Sequence, residues 1–343
     1  MKYLLMMICL LSFSLVHAAV WDASNDPAIF DSNFDYRLNA FEVKAYLSAA
    51  KTPWSETYWP ENKGSINYRW NAKTPVGFDY VSPSREQVLL MSRDELAVLS
   101  PAEKYDLVMG HYDYPLKKEV AAGTSKTAKY WAGICNGWST AALQYAEPLP
   151  VDVMNPDGVM IPFGTSDVKG LLSYYHAFDA NIEVSQVGKR CFKMAEILGL
   201  PACQDINPGA MHVILTNQIA GKHEGFVAEV DPGSEIWNQP VFGYEYEVLG
   251  SAPTHRSPNA VRVKMKLEYA DELDQSSWEP VNGTKKFQKG ERIYEYILEL
   301  DLQGKITGGE WISKDHPDFF WKANNAPDFK GSFEGLKQIY KFK

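Results

Sequence analysis

The sequence predicts an α+β fold, because helical patterns come first along the chain and the pattern of an antiparallel hairpin follows them. Two helical stretches follow each other between residues 82 and 108, and a further helix is expected after Cys135. The hairpin pattern covers residues 209–231. With 343 residues, of which 45% are hydrophobic, the chain can build a substantial core in one large domain or two modest ones.

The first residues of the chain have the pattern of a signal peptide. Met1 and Lys2 form a short basic end, residues 3–16 are almost wholly apolar, and a small-residue cleavage site ends at Ala18. The apolar run is too short to cross a bilayer comfortably. We therefore expect residues 1–18 to be removed and the mature protein to be secreted, or periplasmic if it is retained in a Gram-negative host.

Residues 19–120 are predicted to form an N-terminal arm and a helical region. The arm is rich in Asp, Asn, Trp and Pro, with one helix expected around residues 41–50, and it could be a pro-segment that covers the functional site. Ser84 and Ser100 each begin a capping-box pattern, which predicts the start of a helix. A short linker then leads into the core, residues 121–343, where the chemistry is expected.

The overall charge and the aromatic content narrow the class of partner. A formal net charge of −9 argues against a nucleic-acid partner, because phosphate binding needs a basic face. Aromatic residues make up 13% of the chain, which suits a cleft that holds a peptide or a sugar. Filling of the core is the simpler explanation for so many aromatic side chains, and composition alone favours it.

The cysteine count leaves one thiol unpaired in the mature chain. Cys9 lies in the signal peptide, so three cysteines remain after cleavage. In an oxidising compartment two of them are expected to pair, and Cys191 and Cys203 are close together in one segment. Cys135 is then the free thiol.

Cys135 is expected in the first turn of a helix. The residues after it recur at the spacing of one helical face, until Pro148 stops the run: Trp138, Ala141, Ala142 and Tyr145. The unpaired N–H groups and the positive dipole end at a helix start lower the pKa of a thiol and favour the reactive thiolate. The alternative is a buried, inert cysteine, which is the commoner fate of a lone Cys.

A histidine that could serve as base is expected on the hairpin. Residues 209–217 and 224–231 show strand patterns around a short turn, and this register places His212 opposite Asp231. Opposed side chains have Cβ atoms about 4.5–5.5 Å apart, close enough for a carboxylate to orient an imidazole. Asn238 could equally take the part of Asp231, and a histidine that only stabilises its strand remains the alternative.

Cys, His and Asp together form the arrangement for thiol acyl transfer, in which a thioester forms and is then attacked by water or by an amine. The sequence gives little support for other kinds of catalytic or metal site. It has no HExxH motif, phosphate-binding glycine loop or dinucleotide fingerprint, and the mature cysteines lack the close spacing of a zinc site.

Several stretches of the chain, in the same order, carry a resemblance to a known family. They are residues 99–106 with Tyr112, Trp131–Trp138, Gly188–Cys191, Cys203–His212, Asp231 with Trp237–Pro240, Gly308–Trp311 and His316–Phe319. The chain resembles the transglutaminase elicitor family, the secreted transglutaminases of Phytophthora and their relatives in marine bacteria. The resemblance extends over roughly residues 50–325.

The resemblance implies a papain-like or transglutaminase-like α+β fold, with the helix of Cys135 packed on an antiparallel sheet that carries His212. It implies Cys135 as nucleophile and His212 as base. The resemblance does not decide the third member, for which we keep Asp231 over Asn238. It also implies a protein or peptide substrate with a glutamine, an amine donor such as lysine, and a possible dependence on calcium for which no ligand set can be named.

One departure from papain-like enzymes concerns the oxyanion donor. The glutamine that such enzymes place before the cysteine is missing, and Lys129 and Tyr130 occupy that neighbourhood. The donors could be the Cys135 N–H and an indole N–H of Trp131 or Trp138. Packing is the more common role of a tryptophan at a helix start.

The sequence thus predicts a protein-glutamine γ-glutamyltransferase that forms a thioester at Cys135 and transfers the acyl group to a primary amine. A cysteine peptidase or glutamine deamidase on the same scaffold is the alternative enzyme. The alternative outside the class of enzymes is a non-catalytic secreted binding protein.

Overall fold

The structure, a computed structural model, describes residues 21–190, 205–231 and 233–342. The predicted signal peptide and the predicted Cys191–Cys203 disulfide therefore lie outside the described residues. The α-helices of the described chain are α1 (Arg85–Val88), α2 (Arg93–Ala97), α3 (Pro101–Val108), α4 (Pro115–Ala122), α5 (Cys135–Gln144), α6 (Thr165–Tyr174), α7 (Pro208–Thr216) and α8 (Leu336–Ile339). Its strands are β1 (Lys44–Tyr46), β2 (Val151–Met154), β3 (Met160–Phe163), β4 (Val184–Gly188), β5 (Phe226–Glu229), β6 (Asn238–Ser251), β7 (Val261–Ala270), β8 (Lys289–Leu300), β9 (Ile306–Trp311) and β10 (Phe319–Ala323).

The helices begin where the sequence supplies side-chain caps. Ser84 and Ser100 accept a hydrogen bond from the N–H three residues on, while the side chain of that third residue accepts one from the serine N–H. Ser92 does the same at the start of α2. Each box satisfies donors that the first turn leaves unpaired. The capping boxes predicted at Ser84 and Ser100 are confirmed.

One antiparallel sheet dominates the second half of the described chain. Its strands follow the order β4, β10, β5, β6, β7, β8, β9, with β1 also paired to β6, while β2 and β3 form a separate hairpin. The pairing of β6 with β7 is interrupted by a bulge, because Val241 pairs with Tyr269 but Gly243 pairs with Glu268. Phe242 is the additional residue. The prediction of helices combined with an antiparallel sheet is confirmed.

The prediction of a helix around residues 41–50 is wrong. Lys44–Tyr46 is a strand that pairs with β6, so that Tyr46 lies opposite Gly243. A Cβ at Gly243 would come within 2.2 Å of the Tyr46 ring, so the glycine is what allows this close approach. Backbone pairing with a strand two hundred residues away overrides the local preference of the segment.

The prediction of a hairpin over residues 209–231 is also wrong. Pro208–Thr216 is an α-helix, a π-helical segment follows it at Asn217–Lys222, and only Phe226–Glu229 is a strand. The side chain of Asn207 accepts a hydrogen bond from Gly209 N, and Pro208 occupies the first helical position, which is a favourable helix start. Because α7 is buried all round, its apolar run shows no alternation that distinguishes helix from strand.

The two helices that matter for the site lie on opposite faces of the sheet. Helix α5 packs on β5 and β6, whereas α7 packs on β8 and β9. Val241 shares a hydrophobic cluster with Met211 of α7. Asn238, three residues earlier in the same regular pairing with β5, points to the other face, where it contacts Cys135.

Two buried ion pairs connect the helical part of the molecule. Lys104 of α3 donates to Asp167 of α6 over 2.6 Å, and both side chains are fully buried. Lys169 of α6 lies 2.7 Å from Glu147 and also donates to the Ser55 carbonyl over 2.8 Å. Buried charges of this kind are tolerated only when their partners are in place.

Candidate active site

Cys135 is the first residue of α5 and is 6% exposed. Within residues 21–190, 205–231 and 233–342 it is the free cysteine. Ile134 before it has a non-helical backbone and makes no side-chain cap, so the N–H groups of the first turn keep their capacity to bind an anion. The expected position of Cys135 in the first turn is confirmed.

The sulfur faces the start of β6. The thiol donates a hydrogen bond to the carbonyl oxygen of Ile236 over 3.5 Å, and the Nδ2 atom of Asn238 donates one to the sulfur over 3.7 Å. Trp321 of β10 donates its indole N–H to Asn238 Oδ1 over 2.8 Å. Since an indole can only donate, this bond orients the Asn238 amide with its NH2 group toward the sulfur.

The electrostatic surroundings raise the pKa of the Cys135 thiol. Burial has the largest effect, and the negative charge of Glu272 acts in the same direction. The backbone and side-chain N–H groups of Asn238 and the N–H of Asn136 lower the pKa, but they do not outweigh burial. The lowered pKa expected from the helix start alone is therefore wrong for the free protein, because water is excluded from the sulfur.

Tyr58 and Trp237 form the rim beside the thiol. The Tyr58 carbonyl accepts a hydrogen bond from Ile134 N over 2.8 Å, directly before α5. The Tyr58 ring meets the Trp237 ring edge to face at 5.1 Å. Glu235 accepts hydrogen bonds from the Trp237 indole over 2.8 Å and from the Tyr130 hydroxyl. The mouth of the site is therefore lined by aromatic side chains with fixed orientations.

The buried carboxyl group of Glu229 holds the loop that leads to Asn238. Its Oε1 accepts from Asp231 N and Trp237 N, each over 3.1 Å. Its Oε2 has no hydrogen-bond partner in the described part of the chain. Burial, with smaller help from the charges of Asp318 and Asp231, raises the pKa of Glu229 to about 8.

Glu229→Gln should make the protein more stable at alkaline pH. The folded pKa is raised, so the native state holds a proton that the unfolded chain releases, and stability falls as the pH rises toward and through about 8. Glutamine keeps the Oε1 acceptor and never ionises. We expect the free energy of unfolding at pH 9 to rise on the order of 2–4 kcal/mol, with little change at pH 5.

Urea unfolding at pH 5, 7 and 9 measures this effect. Glu334→Gln, at an exposed carboxylate paired with Lys337, is the matched control and should follow the wild type at every pH. A difference between Glu229→Gln and the wild type that is constant from pH 5 to pH 9 would contradict the explanation.

The structure does not bring His212 to Cys135. His212 is buried in α7, where its Nδ1 lies 2.9 Å from the Tyr296 hydroxyl and its ring meets Tyr246 edge to face at 4.8 Å. Both tyrosines belong to the face of the sheet away from α5. Burial lowers the pKa of His212 to about 3, so the ring stays neutral. Its expected pairing with Asp231 is wrong, because the two are not on adjacent strands.

The other expected site residues have different positions. Asp231 accepts a hydrogen bond from Gly233 N over 2.7 Å, and it is not among the hydrogen-bond partners that the described chain offers the sulfur. The Trp138 indole donates to the Trp54 carbonyl over 3.1 Å, which leaves it no free N–H for an oxyanion. Trp131 lies before α5 with the Lys129 ammonium 5.2 Å from its ring centre, and its oxyanion role stays a prediction.

Sequence reasoning missed two residues of this site: Tyr58 and Trp321. Neither of them belongs to a motif, and both reach the site through long-range contacts, Tyr58 with Ile134 and Trp321 with Asn238. Asn238 was considered only as an alternative to Asp231, although it contacts the sulfur directly.

The fold and the site define a mixed α/β protein with a buried free thiol at the start of a helix. The crystal structure of the GP42 transglutaminase from Phytophthora sojae is similar to this chain, with a TM-score of 0.68 and 22% sequence identity over 94% of this chain and 97% of that chain. At this identity the likeness shows the fold alone. None of the curated proteins matches the chain.

A sequence model described as "Transglutaminase elicitor" matches residues 117–258 and 254–336, which is more than half of the chain. The chain belongs to the transglutaminase elicitor family. The resemblance expected from its motifs is thereby confirmed. Across the described residues, no helix is both long and apolar enough to cross a membrane.

Proposed function

We propose that this protein is a protein-glutamine γ-glutamyltransferase with Cys135 as its nucleophile. The observation that carries the proposal is the free thiol at the start of α5, surrounded by N–H donors of Asn136 and Asn238. These donors stabilise negative charge on the sulfur as it forms. Membership of the family supports the choice of a glutamine side chain as the acyl donor.

The chemistry proceeds through a thioester. The sulfur attacks the carboxamide carbon of a glutamine side chain, and the developing oxyanion is stabilised by N–H groups at the start of α5. Ammonia leaves and the thioester remains on Cys135. A primary amine such as a lysine side chain then attacks the thioester and releases the thiol.

Asn238 is our choice for the amide beside the nucleophile. Its Nδ2 lies 3.7 Å from the sulfur, whereas the Asp231 carboxylate is engaged with Gly233 N. The role of His212 as base stays a prediction without geometric support. A signal peptide over residues 1–18, export and the Cys191–Cys203 bridge also remain proposals from the sequence.

The first experiment is incorporation of a fluorescent alkylamine into dimethylated casein, with and without calcium, while released ammonia is measured in the same samples. Amine incorporation with matching ammonia release supports acyl transfer. Ammonia without incorporation indicates a deamidase, and cleavage of the casein chain indicates a peptidase. Absence of all three products contradicts the proposal and favours a binding protein.

Asn238→Asp should slow the reaction by roughly a hundredfold. The new carboxylate keeps the shape and the acceptor for the Trp321 indole, but it replaces an N–H donor with a negative charge next to the sulfur. Initial rates of amine incorporation measure the effect. Asn324→Asp, at an exposed amide that contacts Ser185, is the control and should retain the wild-type rate. Equal rates for both variants would remove Asn238 from the site.

A further inference from the structure

Glu235 is a partly exposed carboxylate at the mouth of the Cys135 site that the proposal above leaves without a task. Its side chain accepts hydrogen bonds from the Tyr130 hydroxyl and, over 2.8 Å, from the Trp237 indole. Both donors are neutral, so they hold the carboxylate in place without cancelling its charge. The bond from Tyr130, followed by that from Trp237, lowers the pKa of Glu235, and the group is therefore ionised at neutral pH.

The two aromatic rings beside this carboxylate form a corner with it. Tyr58 and Trp237 meet with their ring centres 5.1 Å apart and their planes at 76°. Such an edge-to-face contact covers no more than one face of either ring. The face of an aromatic ring attracts a cation, most strongly for tryptophan, and a carboxylate attracts it as well. We call Glu235, Tyr58 and Trp237 the acidic corner, which has the elements of a site for an alkylammonium group.

Contacts on both sides of the acidic corner connect it to the thiol. On one side, Tyr58 O accepts a hydrogen bond from Ile134 N over 2.8 Å, and Ile134 directly precedes the nucleophile. On the other side, the thiol donates to the Ile236 carbonyl over 3.5 Å, and the neighbours of Ile236 in the chain are the two other members of the corner. Consecutive Cα atoms are about 3.8 Å apart. A group in the corner is therefore within reach of a short alkyl chain whose other end is at the sulfur.

The basic side chains of this region have contacts with other groups. The Lys129 ammonium lies 5.2 Å from the centre of the Trp131 ring. The Arg190 side chain contacts the Ser234 carbonyl and lies 3.9 Å from the Asp318 carboxylate. None of these contacts uses a member of the acidic corner, which can therefore serve a cation that a substrate brings.

We propose that the acidic corner binds a positively charged group of the amine substrate, an inference that rests on the acyl transfer proposed above. The bound cation is a second charge on the acceptor molecule, a few atoms away from the amine that reacts. The neutral reacting amine forms the C–N bond as the C–S bond breaks, and one of its protons passes to the sulfur. The acceptor is therefore an amine with a second cation, either an aliphatic diamine or a lysine with a basic residue beside it.

Amines of similar length that differ only in their far end test this preference. Cadaverine, aminopentanol and aminohexanoate share the reacting amine and end in a cation, a neutral hydroxyl and an anion. They compete in pairs for a glutamine peptide, and mass spectrometry of the products gives the ratio of their kcat/KM values. Corrected for its two equivalent amines, cadaverine should be preferred to aminopentanol about tenfold by the wild type, and aminohexanoate should be the poorest acceptor. In Glu235→Gln, which keeps a hydrogen-bond acceptor but no charge, the preference should fall to about twofold.

Glu334→Gln, at an exposed carboxylate, is the matched control, because it changes the net charge equally and should keep the wild-type preference. Peptides in which arginine or citrulline follows the reacting lysine distinguish the two sources of the cation. A preference for arginine assigns the acidic corner to protein acceptors, and a preference confined to cadaverine assigns it to small diamines. Absence of any preference in the wild type overturns the proposal, as does a preference that Glu235→Gln leaves unchanged. Thermal unfolding of each variant identifies any loss of folding.

A measurement that needs no turnover separates this proposal from the transglutaminase function. Cationic trimethylammonioethyl methanethiosulfonate and neutral methyl methanethiosulfonate modify a thiol by the same exchange, and peptide mass spectrometry follows Cys135 alone. Relative to a free thiol in solution, the wild type should favour the cationic reagent about threefold or more, and Glu235→Gln should lose this preference. An inactive wild type that shows the preference supports the acidic corner and contradicts only the transglutaminase function. Equal reagent ratios in the wild type and Glu235→Gln overturn the acidic corner, whether or not the protein transfers amines.

Discussion

Cys135→Ala should abolish amine incorporation, with a loss of about 10⁴-fold or more and no change of fold. The sulfur is the atom that would form the thioester, and no other described cysteine could replace it. Alanine removes one buried atom at the start of α5 and leaves the hydrogen bond between Trp321 and Asn238 in place. Removal of a nucleophile typically costs this much because the remaining groups cannot form the covalent intermediate.

The comparison needs two further variants. Cys135→Ser keeps an atom that can hydrogen-bond but is a much weaker nucleophile, so its rate should be close to that of Cys135→Ala. Ser139→Ala, one turn further along α5, removes only a local hydrogen bond to Asn136 O and should remain active. Mass spectrometry of the trapped wild type should locate the acyl group on Cys135. Substantial amine incorporation by Cys135→Ala would exclude this thiol as the nucleophile.

Lys169→Met should destabilise the protein by about 3–5 kcal/mol, which we expect to be the largest effect on stability. The Lys169 ammonium is fully buried, 2.7 Å from Glu147 and 3.9 Å from Glu56. Methionine fills a similar volume but leaves two carboxylates in the interior without their cation. Burial already raises the pKa of Glu56, and loss of the lysine charge would raise it further.

Urea unfolding at neutral pH measures this cost. Lys337→Met, which breaks an exposed pair with Glu334, should change the free energy of unfolding by no more than about 0.5 kcal/mol. Adding Glu147→Gln to Lys169→Met should restore part of the loss, because one unpaired charge is then removed. If the single variant at Lys169 is as stable as the variant at Lys337, the buried network does not contribute as described.

Local features of this fold could be predicted from the sequence. The capping boxes at Ser84 and Ser100 and the helix that starts at Cys135 depend on residues within a few positions of one another, and each was found by its spacing. Prediction from local residue patterns failed where one pattern fits two kinds of secondary structure. The apolar run around His212 fits a buried strand and a buried helix equally well, and only its packing between the sheet and the N-terminal segment determines which one forms.

The site itself was only partly predictable. Cys135 was identified because the number of cysteines leaves one thiol unpaired and because the residues after Cys135 have the spacing of a helix. Asn238, which contacts the sulfur, and Trp321, which orients the Asn238 amide, lie on different strands, and their arrangement depends on the register of strands far apart along the chain. The raised pKa of the thiol could not be predicted either, because it depends on burial, which a local helix argument does not contain.

Because of the bulge at Phe242, the number of residues between Asn238 and Gly243 matters more for the position of Asn238 than the identity of those residues does. Residues on either side of the bulge, Val241 and Tyr244, share one face of the sheet only because one extra residue lies between their pairings. Loss of that residue would rotate the preceding part of β6 by one position relative to β7, and Asn238 would then turn away from the sulfur. We therefore expect functional relatives to carry substitutions in β6. We expect them to have no insertions or deletions between Asn238 and Gly243.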